Sequence, residues 1–225
     1  DPLPEGSNRR PGDQQAWDNK DRDLLTRFVD EEASAAIDTF GDVDVPYDEI
    51  EDPESEAWNE KVSTRLEAVK RSRERALAYL LAYTGLRAAE FLRDPNDDRA
   101  GRDGLRWDDV SLEDQSATVY RKNQQWKEAS LPEPVIGPLK RYRQLLDPPG
   151  EWPVFTTLHR PTLSHHVQEG LADSGLNEDA IEDVRATWPD LLAAAEHDLH
   201  APPALTTDGA RRILKRLTDQ TEIDV

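Results

Sequence analysis

The chain has no cysteine and no methionine in its 225 residues. Without cysteine there is no disulfide, no thiolate nucleophile and no cysteine-based zinc site. No apolar run approaches the roughly 20 residues that cross a bilayer as a helix, and no signal-peptide pattern opens the chain. The expectation is a soluble, cytoplasmic protein with no membrane partner. Lysine is scarce too: arginine greatly outnumbers it among the 28 basic residues.

Acid is what the chain has in excess. Asp and Glu total 47, the formal net charge is -19, and the pI is about 4.6. Heavy acid, little lysine and no Cys or Met form the pattern of a surface adapted to high salt. General disorder is the alternative explanation of such charge, and the periodic apolar segments described below argue against it. Charge of this sign repels phosphate and lowers the expectation of a nucleic-acid partner. At molar salt the Debye length falls to about 3 Å, so distant carboxylates are screened and local contacts decide. The acidic total therefore does not exclude DNA.

Taken in order, Asp1–Asp23 is rich in Pro, Gly, Asp and Arg and reads as a linker or irregular arm. Leu24–Phe40 keeps a helical period through Leu25, Phe28, Val29, Ala33, Ala36 and Ile37, with Gly41 as a stop. An acidic, Pro-broken loop follows, and Trp58 starts a helix carrying Val62, Leu66 and Val69. Its end holds a dense basic cluster, Lys70, Arg71, Arg73 and Arg75, which is either a solvated face or a phosphate-contacting patch. Arg75–Phe91 is the most apolar and periodic stretch and is expected to be one core helix. Within it Gly85 costs about 1 kcal/mol against a better helix former, and Arg87 is a charge in need of a partner.

Beyond a charged turn, Leu105–Val110, Ser116–Lys122 and Trp126–Leu131 alternate as three short strands of an antiparallel meander. Pro132 and Pro134 close it, and Pro138 suits the first residue of a helix through Leu146. Trp152–Phe155 is a short apolar segment, Leu163–Leu171 is helical, and Asn177–Leu199 is helical with a break at Trp188-Pro189. A last helix begins at Thr206 or Thr207, with Ala210, Ile213, Leu214 and Leu217 as its apolar face. The fold class is α+β, mainly α. His165 and His166 face opposite ways on a helix and make a poor metal pair. His197 and His200, three apart, share a face but have no further ligand at suitable spacing. No metal or cofactor is expected.

The order of elements is more specific than any single motif. Thr84-Gly85-Leu86-Arg87-Ala88-Ala89-Glu90 resembles the first arginine box of tyrosine recombinases, the phage-integrase family. Leu105–Val110 fits the strand that follows that box, and Val119–Lys127 fits a hairpin presenting a lysine near its turn. Ser130-Leu131-Pro132 and Trp152–Phe155 fit the next two landmarks. The resemblance runs from about Leu25 to the end and is densest over Arg75–Phe155.

The resemblance implies a helical DNA breaking–rejoining core with a small three-stranded antiparallel sheet. A tyrosine would cleave double-stranded DNA through a 3′-phosphotyrosyl link without metal, several copies acting on one duplex as a homo-oligomer. Such chemistry needs cations at the non-bridging phosphate oxygens, and arginine suits because its planar fork pairs with phosphate and stays ionised. Arg87 matches the catalytic arginine. Glu90 would orient Arg87 or tie its helix to a neighbour. Lys122, or alternatively Lys127, matches the hairpin lysine that protonates the leaving 5′-oxygen. Lys70, Arg71, Arg73 and Arg121 are candidates for contact with the DNA backbone. Taken alone, Arg87 could instead be structural, and Lys122 could be an edge-strand lysine that blocks aggregation.

The departure lies at the C-terminal side. The family's second box, H-x-x-R, and its nucleophilic tyrosine have no match: Arg211-Arg212 lacks a His three residues earlier, and Tyr47, Tyr79, Tyr83, Tyr120 and Tyr142 all come too early. Residues 24–225 are thus expected to be a partial catalytic domain, inactive alone, of a parent enzyme for site-specific recombination or integration. The alternatives are an inactive DNA-binding relative and a helical protein-interaction domain with no nucleic-acid role.

Overall fold

The computed structural model describes residues 18–43, 47, 50, 52–53, 55–99 and 101–221. Helix α1 spans Asn19–Asp42 and is capped by Asp18, whose carboxylate accepts from the Asp21 N–H at 2.8 Å. The helix therefore starts inside the segment expected to be an arm; the rest of that arm, residues 1–17, lies outside the described residues. So does most of the acidic loop before α2. Helix α2 spans Glu56–Tyr83, with Ser55 as its N-cap. Leu25 and Val29 of α1 pack on Ala78 of α2. Around that seam Arg75 pairs with Asp30 at 2.6 Å and Arg71 with Glu32 at 3.3 Å.

The stretch expected as one helix over Arg75–Phe91 is divided. Its first part is the end of α2; its last part is a separate short helix, α3, Ala88–Phe91. Gly85 takes φ +62°, just past the C-cap Thr84, which is the place where helices end on a left-handed residue. The Thr84 hydroxyl donates to the Leu80 carbonyl at 2.6 Å and accepts from the Leu86 N–H at 3.2 Å, which fixes the turn. Nothing lies within 4 Å of a Cβ built on Gly85, so its backbone angle, and not close approach, is what requires glycine.

The sheet is antiparallel, with strands β1 Val110–Ser111, β2 Ser116–Tyr120 and β3 Trp126–Ser130 in that order. Tyr120 faces Trp126 and Val119 faces Lys127 across the second ladder. Gln115 and Gln124 take left-handed angles in the two turns. The first expected strand shrinks to its last residue. Trp107–Asp109 forms a 3-10 turn, because this backbone finds its partners elsewhere: Trp107 N–H donates to Trp152 O, Asp108 N–H to Gly150 O, and Val154 N–H to Leu105 O.

Helix α4, Glu133–Leu146, begins before Pro138, which sits inside it and not at its start; Pro134 holds the first-turn position, where a missing N–H is harmless. Asp147 closes α4 with φ +52°. Then come α5 Arg160–Asp173, α6 Glu178–Thr187, α7 Asp190–Glu196 and α8 Thr207–Gln220. The break between α6 and α7 is at Trp188-Pro189, and Trp188 packs edge-on to Trp58, whose indole N–H reaches the Thr187 carbonyl at 2.9 Å. Trp107, Tyr142, Trp152, Phe91 and Phe155 are fully buried at the centre, where sheet, α3 and α4 meet. The molecule is mainly helical with one small three-stranded antiparallel sheet, and no described helix is long and apolar enough to cross a membrane.

Candidate functional site

The left-handed turn at Gly85 delivers Arg87 to the start of α3 in an extended conformation, so its backbone N–H points into the first turn. There it donates to Glu90 Oε2 at 3.0 Å. The Glu90 side chain is 1 % exposed. The same Oε2 accepts from Arg121 Nη1, also at 3.0 Å, across 31 residues of sequence. Glu90 Oε1 lies 3.7 Å from Arg87 Nη1 and has no hydrogen-bond donor among the described residues. The Arg87 guanidinium is thus held only by a long contact, and its side chain is 68 % exposed.

Glu90 therefore couples two elements. It fixes the entry to α3 through a main-chain bond and draws in the base of the β2–β3 hairpin through Arg121. The hairpin is tied to α3 a second time by Arg102, which donates to the carbonyls of Ala89 at 2.6 Å and Tyr120 at 3.1 Å and lies over the Tyr120 ring. Gly101 makes this approach possible, since a Cβ there would meet Tyr120 Cβ at 2.6 Å. Neither residue carries a signal in the sequence: Arg102 sits in a charged turn that reads as solvated.

With the hairpin docked in this way, Arg87, Arg121, Lys122, Asn123 and Lys127 line one open depression of about 590 Å³. Lys122 is in the turn and Lys127 on β3, and neither has an ion pair among the described residues. Both hairpin lysines reach the same place, so geometry does not choose between them. Four cations line the depression, and two of them, Arg87 and Arg121, also lie 3.7 and 3.0 Å from the buried, already hydrogen-bonded Glu90 carboxylate. In a chain of net charge -19 this is a local reversal of sign. An arginine fork and mobile ammonium groups at such a depression can bind the oxygens of a phosphate group.

The other cationic candidates are not brought there. Lys70 pairs with Glu67 at 3.4 Å and lines a different hollow, beside Leu158 and Arg160. Arg71 is shared among Glu32, Glu67 and Glu74. Arg73 is 3 % exposed and donates to the Thr156 carbonyl at 2.6 Å; burial lowers its pKa, since the charged form loses hydration. The basic cluster of α2 is thus distributed around the helix, mostly against the protein's own acids.

The histidines lie elsewhere. His166 is buried and its Nε2 is 3.0 Å from the His200 carbonyl, with the two rings edge to face at 4.3 Å. Burial holds its pKa below the usual value. His197 caps α7. Among the described residues no group of three or more His, Asp or Glu could hold a metal ion. On α8, the position three before Arg211 is Asp208, and the two form a loose exposed pair at 4.0 Å.

Comparison with protein-family models, with curated proteins and with solved structures finds no match.

Proposed function

We propose that the chain carries the first arginine box and the hairpin lysine of a tyrosine-recombinase-type core, acting in site-specific cleavage and rejoining of double-stranded DNA. One observation carries this reading: Arg87 stands exposed beside Lys122 and Lys127 over a buried Glu90 that holds the turn and the hairpin together. In the proposed reaction a deprotonated tyrosine oxygen, from a residue that has no match in this chain, attacks the phosphorus, the P–O5′ bond breaks, and a 3′-phosphotyrosyl bond forms. Arg87 stabilises the charge that gathers on the non-bridging oxygens, where removing one such donor typically costs about 10²–10³ in rate. The ammonium group of Lys122 or Lys127 passes its proton to the departing 5′-oxygen. Several copies would assemble on one duplex. The acidic surface is read as adaptation to a concentrated-salt cytoplasm, where short-range contacts to phosphate outweigh the total charge.

A second reading is a DNA-binding relative that does not cleave. It is favoured by the tyrosines of this chain: Tyr142 is fully buried and Tyr79 is bonded to Asp30 at 2.7 Å, so neither is a free nucleophile. The Asp208 carboxylate, in place of a basic group three residues before Arg211, points the same way.

The test uses a nicked suicide duplex in KCl, with binding followed by fluorescence anisotropy and covalent adduct by denaturing gel. Combined Arg87→Ala, Lys122→Ala and Lys127→Ala is expected to weaken binding at least tenfold. The slope of log affinity against log salt should flatten by about 0.9 for each phosphate that the variant no longer neutralises. Binding that the triple variant weakens supports both readings; the same assay on a chain that also carries the second box and the tyrosine separates them, since an adduct is expected there only under the first. Binding that the triple variant leaves unchanged sinks both.

A further inference from the structure

A second depression, of about 500 Å³, lies between α2, the segment after Phe155 and the start of α8. Arg73, Arg93, His159 and Arg212 line it, and Asp208 is the one acid among the described residues there. Most arginines among the described residues have carboxylate partners: Arg65 with Glu196, Arg75 with Asp30, Arg99 with Asp97 and Arg216 with Glu74 are examples. Arg73, Arg93 and Arg212 have no ion pair among the described residues. They come from three separate places in the fold and face the same hollow.

Arg73 is the most informative of the three. It is more than nine-tenths buried, its one hydrogen bond is to a neutral carbonyl, and its Nε–H has no acceptor among the described residues. A guanidinium withdrawn from water with a buried donor unused is costly unless an anion completes it. Arg93 stands where the chain leaves α3, anchored by main-chain bonds from its N–H to Leu205 O and from Thr207 N–H to its own carbonyl, both 3.0 Å. Those bonds set it against the first turn of α8, which carries Arg212. The α8 start adds little by itself: the Thr207 N–H goes to Arg93 and the Gly209 N–H to the Thr206 hydroxyl. Asp208 is engaged, loosely, with Arg211. At the rim, His159 Nδ1 is bonded to the Thr162 hydroxyl at 2.9 Å.

We propose that this depression binds a tetrahedral phosphate group, with Arg73 as its buried anchor and Arg93 and Arg212 as the clamp that closes on it. Guanidinium groups approaching from three elements suit the spread oxygens of a phosphate better than a planar carboxylate, which one fork satisfies. The phosphate is either free or part of a nucleic-acid backbone. The site stands apart from the Arg87 depression and does not depend on the function proposed for that depression.

The test is an amide ¹⁵N–¹H titration of the full chain with inorganic phosphate, at constant ionic strength in KCl. Saturable shifts are expected at Thr157, His159, Asp208 and Gly209. Combined Arg93→Gln and Arg212→Gln, both exposed in the fold, is expected to weaken binding at least tenfold while the rest of the spectrum reports a retained fold. A short DNA duplex in a second arm identifies the source. Shifts at the same four amides mean a backbone phosphate, and shifts with inorganic phosphate alone mean a free one; either result supports the site. The proposal is overturned if inorganic phosphate gives no saturable shift at these amides, or if the double variant binds it as the native protein does.

Discussion

Replacing Glu90 separates the structural from the ligand-facing half of the candidate site. Its carboxylate accepts two hydrogen bonds at 3.0 Å, from the Arg87 N–H and from Arg121 Nη1. A hydrogen bond to a charged group contributes about 1.5–3 kcal/mol. Arg121 is 31 % exposed and can regain water when its partner goes, so the lower value applies to each bond. Glu90→Ala is therefore expected to cost about 3 kcal/mol, which lowers Tm by about 6–12 °C in a chain of this size. Glu90→Gln keeps the volume and one acceptor oxygen and is expected to cost about half as much. Arg87→Ala removes an exposed side chain whose only contact with Glu90 is long, and stability should change by no more than about 0.5 kcal/mol. Calorimetry or thermal circular dichroism in molar KCl measures all three. If Arg87→Ala destabilised the protein as much as Glu90→Ala, Arg87 would be a structural partner of Glu90, and its assignment to phosphate would fail. If Glu90→Ala cost nothing, the buried carboxylate would not be what holds hairpin and turn together.

Four further outcomes are expected. Tm should rise by several degrees from low salt to molar KCl, as screening relieves the self-repulsion of a net charge of -19; a flat response contradicts the salt-adaptation argument. Gly85→Ala should cost about 1–2 kcal/mol in a denaturant melt, from backbone strain alone, because the space is open. Gly101→Ala should cost more, about 3 kcal/mol, since φ is +88° and the new methyl would collide with Tyr120 and Trp126; equal costs would refute the docking role given to Gly101. Burial and the bond to Asp30 raise the Tyr79 pKa from 10.0 to about 12. Because the folded pKa is the higher one, this stabilisation is fully present below pH 10 and is lost as pH rises towards about 12. Tyr79→Phe should remove that part of the alkaline loss of stability in a pH series of melts, and an unchanged profile would contradict it.

Much of the architecture is legible in the chain because it depends on neighbours a few residues apart. The 3.6-residue period of Leu25, Val29 and Ala33, the turn residues between Ser116 and Trp126, the interruption at Trp188-Pro189 and the Thr206 cap all act locally, and the helices and hairpin occur where those signals lie. Boundaries that depend on distant partners are not legible. The residues before Val110 alternate like a strand, yet they form a 3-10 turn because their hydrogen-bond partners come from residues 150–154. Arg73 is one of four basic residues in a short run, but only packing against Thr156 decides that it is buried while Arg71 remains among surface acids. At the site, the sequence by itself determined that Arg87 stands three residues before Glu90 and that a hairpin carries Lys122 and Lys127. Tertiary structure alone decided that Gly85 ends the helix ahead of Arg87, that the guanidinium of Arg121 and not that of Arg87 takes the close bond to Glu90, and that the lysines arrive beside the arginine left exposed. The reason is physical: a buried carboxylate takes whichever donors folding brings within about 3 Å, and nothing local to Glu90 specifies a donor 31 residues away.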